Sequence, residues 1–400
     1  ADVAYYYGED NNITGLFGET PPAVPKGYNF DYVSSDALRN VLQADNDHVT
    51  SSKTGMTYRL LALDKNCNRM SIAVLRKLDE LSKAGVQICG ERPTQKAELN
   101  GSEEEFNRLI NEIWSRPNVH AGQTMEQVLA SLNVRPDFSY QSNDNADLLF
   151  VHHNTDKGGF YWVNNRNDQK EDVTLSFRIT GKKPEIWHPE TGVKEPASYP
   201  IAKDRTQVTT TLTPNDAIFV VFEEAATENS VTIPAKSNTE LLTISTPWNV
   251  KFQEHRGAPA EATFNTLASF TENSNEGIKY FSGVATYTNS FKLDKKALKN
   301  GGQILLDLGS VKNLAEVTVN GQNLGVIWKT PFCIDITSAV KKGINNLEVK
   351  VVNMWPNRLI GDAQPNVKEK ITYTTMPFYK PTTALLPSGL LGPVKVISEK

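Results

Sequence analysis

Near Val134 the hydrophobic pattern of this 400-residue chain changes from alternating strand and helix signals to a steady period of two. That change constrains the fold more than any other feature, because the side-chain periods of helix and strand cannot be interchanged. Before it, Val3-Ala4-Tyr5-Tyr6-Tyr7 reads as a strand, followed by a loop punctuated by Pro21, Pro22, Pro25 and Gly27. Ser34-Ser35-Asp36 caps a helix expected to run through Leu38 and Leu42, and Tyr58 to Leu63 reads as a buried strand. Ile72, Leu75, Leu78 and Leu81 then share one helical face, which Gly85 ends. Val86 to Cys89 is the next strand, and Ser102 opens a helix with Phe106, Leu109, Ile110 and Ile113 as its apolar stripe.

Strand–helix–strand order of this kind predicts an α/β layer of flavodoxin-like or amidotransferase-like type over residues 1–134. After it, short alternating runs such as Gly159 to Asn164, Val173 to Arg178, Gln207 to Leu212 and Ala217 to Phe222 predict a small antiparallel β-sandwich over 135–226. The polar segment Glu223 to Asn229 is a linker candidate. Strand and hairpin signals, including Asn300-Gly301-Gly302 and Asn320-Gly321, continue through 227–400 and fit a β jelly roll. The fold class is therefore multidomain, α/β plus all-β.

Composition narrows the function. A net charge of −4 and a pI near 6.0 supply no basic field for nucleic acid, and no apolar run approaches the ~20 residues that cross a bilayer. Cys67, Cys89 and Cys333 fit neither a metal-ligand nor a redox spacing and read as buried apolar residues. Cys89-Gly90 lacks the flanking elbow of a catalytic nucleophile. Asp64-x-Asn66-x-Asn68 begins like a calcium loop, yet Arg69 and Leu75 occupy its glycine and glutamate positions, so no metal is assigned. Phosphate-cradling motifs are absent, and no cofactor is expected in this chain. Asn12-Ile13-Thr14 and Asn100-Gly101-Ser102 match the glycosylation acceptor pattern, which also arises by chance.

The strongest chemical signal is Asn353-Met354-Trp355-Pro356-Asn357-Arg358-Leu359-Ile360-Gly361-Asp362, which follows the strand-like Leu347 to Val352. An indole, two amides, a guanidinium and a carboxylate in one loop suit sugar recognition, since carbohydrates offer hydroxyls to planar polar groups and apolar ring faces to aromatics. The alternative is a packed β-corner with Trp355 in the core and Arg358 paired to Asp362. Trp162, Trp187, Trp248, Trp328 and Trp355 all lie in the β-rich part, where most tryptophans are core. Trp355 is the one expected to face a ligand, and Trp328, beside Pro331-Phe332, is expected to be structural.

Pro247-Trp248-Asn249-Val250, Tyr280 to Tyr287, Leu306-Asp307-Leu308-Gly309, Val317 to Gly321, Leu324 to Phe332, Asp335-Ile336-Thr337 and Pro387 to Val394 resemble the galactose-binding-like, sugar-binding jelly roll attached to many glycoside hydrolases, and glycoside hydrolase family 2 shares the middle of this set. Read with the first third and the Trp355 loop, the chain resembles the non-barrel, C-terminal portion of glycoside hydrolase family 106, the α-L-rhamnosidases. That resemblance implies an accessory region of an enzyme acting on rhamnose-containing glycans, in a bacterial periplasm or outside the cell. The catalytic glutamates and the calcium site of such enzymes belong to a barrel. The upstream barrel of the same polypeptide is the expected partner, and no catalytic residue is assigned here. A start at Ala1-Asp2-Val3 without Met is read as excision from something longer.

The resemblance also carries Tyr28 and Asp31 over as substrate-side residues, through Pro25-Lys26-Gly27-Tyr28-Asn29-Phe30-Asp31. His152 is carried over likewise, although His153 and Asn154 depart from the basic residues that follow it in the family. Glu9, at the end of the first strand, is expected to share one edge with Asp10, Tyr28 and Asp31. Two rival readings remain: a stand-alone carbohydrate-binding protein, and a compact glycosidase using carboxylates near Glu9 and Asp31.

Overall fold

The computed structural model describes residues 1–10, 22–142, 145–299 and 302–400. The Asn12-Ile13-Thr14 triplet and Asn300-Gly301 lie outside them. The chain forms two compact units, Ala1–Ile233 and Pro234–Lys400, and is mostly β.

The first unit opens with five parallel strands: β1 (Val3–Tyr6), β2 (Phe30–Val33), β3 (Leu60–Leu63), β4 (Ile88–Cys89) and β5 (Val119–His120). They lie in the order β2-β1-β3-β4-β5. Every residue of β1 and β3 is buried, as expected of central strands covered on both faces. Ala4 and Tyr6 pack against α1 (Ser35–Asn40), α2 (Ile72–Lys83) and α3 (Glu103–Trp114), whereas Val3, Tyr5 and Tyr7 pack against α4 (Met125–Ser131). Local signals place these helices. The Ser71 and Ser102 side chains accept amide bonds from Val74 and Glu105, and Thr124 and Gln127 form a reciprocal capping box.

The first helix stops at Asn40, short of the expected Leu42. Leu42–Asp45 instead pairs with His48–Ser51 around Asn46, whose φ of 54° makes the tight turn. A hairpin with a buried Leu42 outcompetes one more helical turn led by β-branched Val41.

The two five-stranded antiparallel sheets begin at Phe138, close to the expected change of period. They include β6 (Phe138–Ser142), β7 (Leu148–Thr155), β8 (Gly158–Asn165) and β9 (Glu171–Phe177), divided between two five-stranded sheets that share a core of Phe138, Tyr161, Phe177 and Phe222. In β8 the strict alternation of buried and half-buried residues is the period of two made visible.

The second unit contains a four-stranded and a six-stranded antiparallel sheet around one core. Its longest pairing joins β10 (Val284–Leu293) to β11 (Gly343–Val352), in register from Val284↔Val352 to Leu293↔Gly343. Asn320 (φ 51°) and Gly321 (φ 83°) make the two-residue hairpin that their sequence signals. Helix α5 (Pro356–Asp362) follows β11.

Candidate functional sites

Three places gather the residues singled out above. The first is the carboxyl edge of the parallel sheet, where α/β folds usually collect ligands. After β1 the chain turns at Gly8 (φ 93°), and the Glu9 carboxylate accepts the Ser71 amide at 2.6 Å. Glu98 accepts the Ile72 amide at 2.7 Å, and the Ser71 hydroxyl accepts Val74 N–H. Two carboxylates thus occupy the positive end of α2, which is where a phosphate would otherwise sit. Asp64, after β3, accepts the Tyr5 hydroxyl at 2.5 Å and the Asn66 amide at 2.7 Å. Burial, with Asp64 beside it, pushes the Tyr5 phenol well above its ordinary range. Asp10 is paired with Arg69.

Tyr28 and Asp31 do not join that edge. The loop after a parallel strand must travel back before the next strand starts, so Tyr28 precedes β2 at the amino end of the sheet, and Asp31 lies abreast of Ala4. The Tyr28 hydroxyl donates to Val134 O at 2.8 Å, and Asp31 accepts the Tyr58 hydroxyl at 3.1 Å. Glu9 is thereby separated from both.

Tyr28 and His152 do share a site. They line a cleft of about 1040 Å³ within the first unit, together with Asp2, Lys26, Glu126 and Arg178. Asn29 fastens this region, donating to Phe150 O and accepting His152 N–H at 2.9 Å. His152 Nδ1 lies 2.7 Å from Asp137 Oδ2, and its ring stacks on Tyr161 at 4.0 Å. The Tyr161 hydroxyl donates to Asp137 Oδ1 at 2.7 Å, Arg178 Nε approaches the same oxygen at 3.6 Å, and Arg178 Nη2 grips both oxygens of Asp2. Burial acts to raise the Asp137 carboxyl, but the His152 hydrogen bond and charge, Tyr161 and Arg178 outweigh it and hold the group below its ordinary value. Asp137, Tyr161, Arg178 and Asp2 escaped the sequence reading. One signal was available: His152 shares the inward face of β7 with Leu148 and Phe150, and a polar residue at an inward position calls for a buried partner.

The Trp355 segment belongs to the second unit. Asn353 accepts the Gly283 amide at 2.9 Å and donates to Phe281 O at 2.8 Å. Asn357 donates to Leu386 O and accepts Leu386 N–H, bridging to a distant loop through both ends of its amide. Arg358 Nη2 meets Asp362 Oδ1 at 2.9 Å, and Asp362 Oδ2 accepts Ile371 N–H and both the amide and hydroxyl of Thr372. All four polar side chains are buried. Trp355 is 47% exposed, with the Arg256 guanidinium 5.0 Å above its ring. The segment is thus a polar strut beneath one exposed indole. Trp328, expected to be structural, is 60% exposed, because it lies just past the last paired residue of its strand, Ile327. Among the described residues, no three His, Cys, Asp or Glu side chains converge as a metal site.

Comparison with known proteins gives a context for these sites. Residues 1–201 of the 400 match the α-L-rhamnosidase family of glycoside hydrolases, family 106. The chain belongs to that family. Residues 268–378 of this family 106 chain also match the galactose-binding-like domain of glycosyl hydrolase family 2. A solved rhamnosidase from Novosphingobium sp. PP1Y is 39% identical over 100% of the chain, with a TM-score of 0.88, and the chain covers 39% of that structure. A Formosa agariphila protein bearing a provisional β-glucuronidase name is 22% identical across 99% of the chain and 55% of its own length. The family 106 chain therefore spans roughly two-fifths and just over half of these two relatives.

Proposed function

We propose that this chain is the C-terminal accessory region of an α-L-rhamnosidase acting on rhamnose-containing glycans, that the catalytic barrel lies elsewhere in the polypeptide, and that the chain alone hydrolyses no glycosidic bond. The observation that carries this reading is the state of its gathered carboxylates. Glycoside hydrolysis needs a carboxylic acid of raised pKa facing a second carboxylate across the scissile bond. Here Glu9 and Glu98 are spent on helix amides, Asp64 on Tyr5, and Asp31 on Tyr58. The buried cleft carboxyl, Asp137, is shifted the wrong way for a general acid.

In this reading residues 1–134 form a flavodoxin-like or amidotransferase-like layer, supported by the order β2-β1-β3-β4-β5. Residues 135–226 form a β-sandwich, and 227–400 form a galactose-binding-like jelly roll. The partner is a barrel preceding Ala1, any calcium belongs to that barrel, and the assembly works in the periplasm or outside the cell. No helix among the described residues is long and apolar enough to cross a membrane, which is compatible with that location. Sequencing the native reading frame tests the proposal: a barrel-sized region ahead of Ala1 is expected, and a frame that starts at this alanine contradicts it.

A further inference from the structure

The net charge of −4 conceals an uneven distribution. Pro234–Lys400 holds 19 Lys and Arg against 13 Asp and Glu, a net +6, so Ala1–Ile233 carries −10. Charge asymmetry between halves of a chain points to a polyanionic partner for the positive half. Much of the excess gathers at one end of the β10–β11 pairing. Lys292 lies abreast of Ile344 near the end of that ladder, Lys295 and Lys296 open the short helix Lys295–Lys299 just beyond β10, and Lys341 and Lys342 lead into β11. All five are exposed, and none takes part in an ion pair among the described residues, whereas Lys350 and Lys395 are paired with glutamates. Over residues 289–296 and 338–346 the one carboxylate is Asp294, whose Oδ1 accepts the Ala297 amide at 2.8 Å. The turn that carries two of the lysines is firmly built. Asn345 is fully buried; its Oδ1 accepts Lys341 N–H and Asn320 Nδ2, both at 2.8 Å, and its Nδ2 donates to Lys341 O and Gly343 O. One amide thus uses all four of its hydrogen-bonding positions to fix the backbone under Lys341 and Lys342.

We infer that this lysine-bearing end of the second unit binds an anionic polysaccharide, one whose carboxylate or sulfate groups recur along the polymer. Unpaired ammonium groups held at a fixed strand end act as point charges toward such anions, and neutralising a charged polymer releases its counterions. The composition of the patch selects the polymer class. It contains no Arg, whose planar fork suits phosphate, and no exposed aromatic ring on which a base could stack, since Phe291 is buried. Those absences count against a nucleic acid. Ile344 is the one large apolar side chain exposed there, too little to enter a bilayer interface. Membership of a glycoside hydrolase family leaves a glycan as the polymer, and to that extent the inference rests on the glycan reading above. It adds the charge of the polymer and the surface that meets it.

Calorimetric titration of the whole chain with sodium polygalacturonate and with dextran sulfate, with neutral dextran as control, tests it. Binding of at least one acidic polymer is expected, falling steeply between about 50 and 200 mM salt, and the stronger of the two tells carboxylate from sulfate recognition. The Lys292→Gln/Lys341→Gln/Lys342→Gln variant should weaken that binding at least about tenfold, with the melting temperature unchanged because these residues are exposed. A variant matched in charge, Lys368→Gln/Lys370→Gln/Lys380→Gln, should keep the wild-type affinity. Absence of binding to either acidic polymer, equal binding of neutral dextran, or equal loss in the two variants overturns the inference. So does binding of duplex DNA or phosphatidylglycerol vesicles as tight as that of the acidic glycans. None of those outcomes touches the accessory reading, which is judged by turnover and by the reading frame.

Discussion

Arg358 and Asp362 face each other at 2.9 Å across one turn of α5, both are buried, and the second oxygen of Asp362 holds the backbone of Ile371 and Thr372. Removing one partner of a buried pair leaves an uncompensated charge, which costs about 3–5 kcal/mol. Asp362→Ala is expected to destabilise the second unit by about that much and to free the loop at 371–372. Denaturant unfolding measures the first effect and limited proteolysis the second; a wild-type midpoint and cleavage pattern would contradict the strut.

Asp137 makes acid stability depend on one cluster. Its folded pKa lies below the ordinary carboxylate value of about 3.9, so the unfolded chain binds more protons in the acid range. The stability gained from this group is therefore full above about pH 4 and is lost as pH falls through the folded value. Asp137→Asn is expected to lower stability at neutral pH by about 3 kcal/mol or more, and to flatten the decline below about pH 4. Unfolding curves from pH 7 to pH 2 check this, and parallel curves for variant and wild type would refute it.

Two tryptophans separate core from surface. Trp248 is 1% exposed and packs edge-on to Tyr287, so Trp248→Ala should cost about 3–5 kcal/mol. Trp355 is 47% exposed, with Arg256 over its ring, and Trp355→Ala should cost far less, about 1 kcal/mol or less. Equal losses in thermal unfolding would mean that the exposed indole is structural.

Burial pushes the Cys67 thiol up to about 12 and those of Cys89 and Cys333 to about 11. Only the thiolate reacts, so at pH 8 on the order of one thiol in a thousand is competent at Cys89 and Cys333, and roughly tenfold fewer at Cys67. The native chain is expected to resist maleimide labelling at all three positions and to label fully in denaturant. Rapid native labelling would show a thiol more accessible than the fold allows.

Much of the architecture was legible because burial repeats with the backbone. The α2 and α3 stripes, their serine caps and the alternation of β8 each state a period and a boundary locally. The end of α1 was not, because the hairpin that captures Leu42 depends on Asn46 adopting a left-handed turn. The sites were harder. Glu9 and Tyr28 read as neighbours along one loop, but parallel strand order returns the chain to the opposite end of the sheet. The polar run after β11 reads as a ligand loop because sequence gives residue types without directions; of its residues, the helix turns Asn357, Arg358 and Asp362 inward and leaves Trp355 outside.

The most direct measurement of the central claim is release of aryl alcohol from an aryl α-L-rhamnoside by the purified chain. No turnover above the uncatalysed rate is expected, in wild type or in Glu9→Gln and Asp31→Asn variants. Hydrolysis by the chain alone that either substitution abolishes would contradict the accessory role.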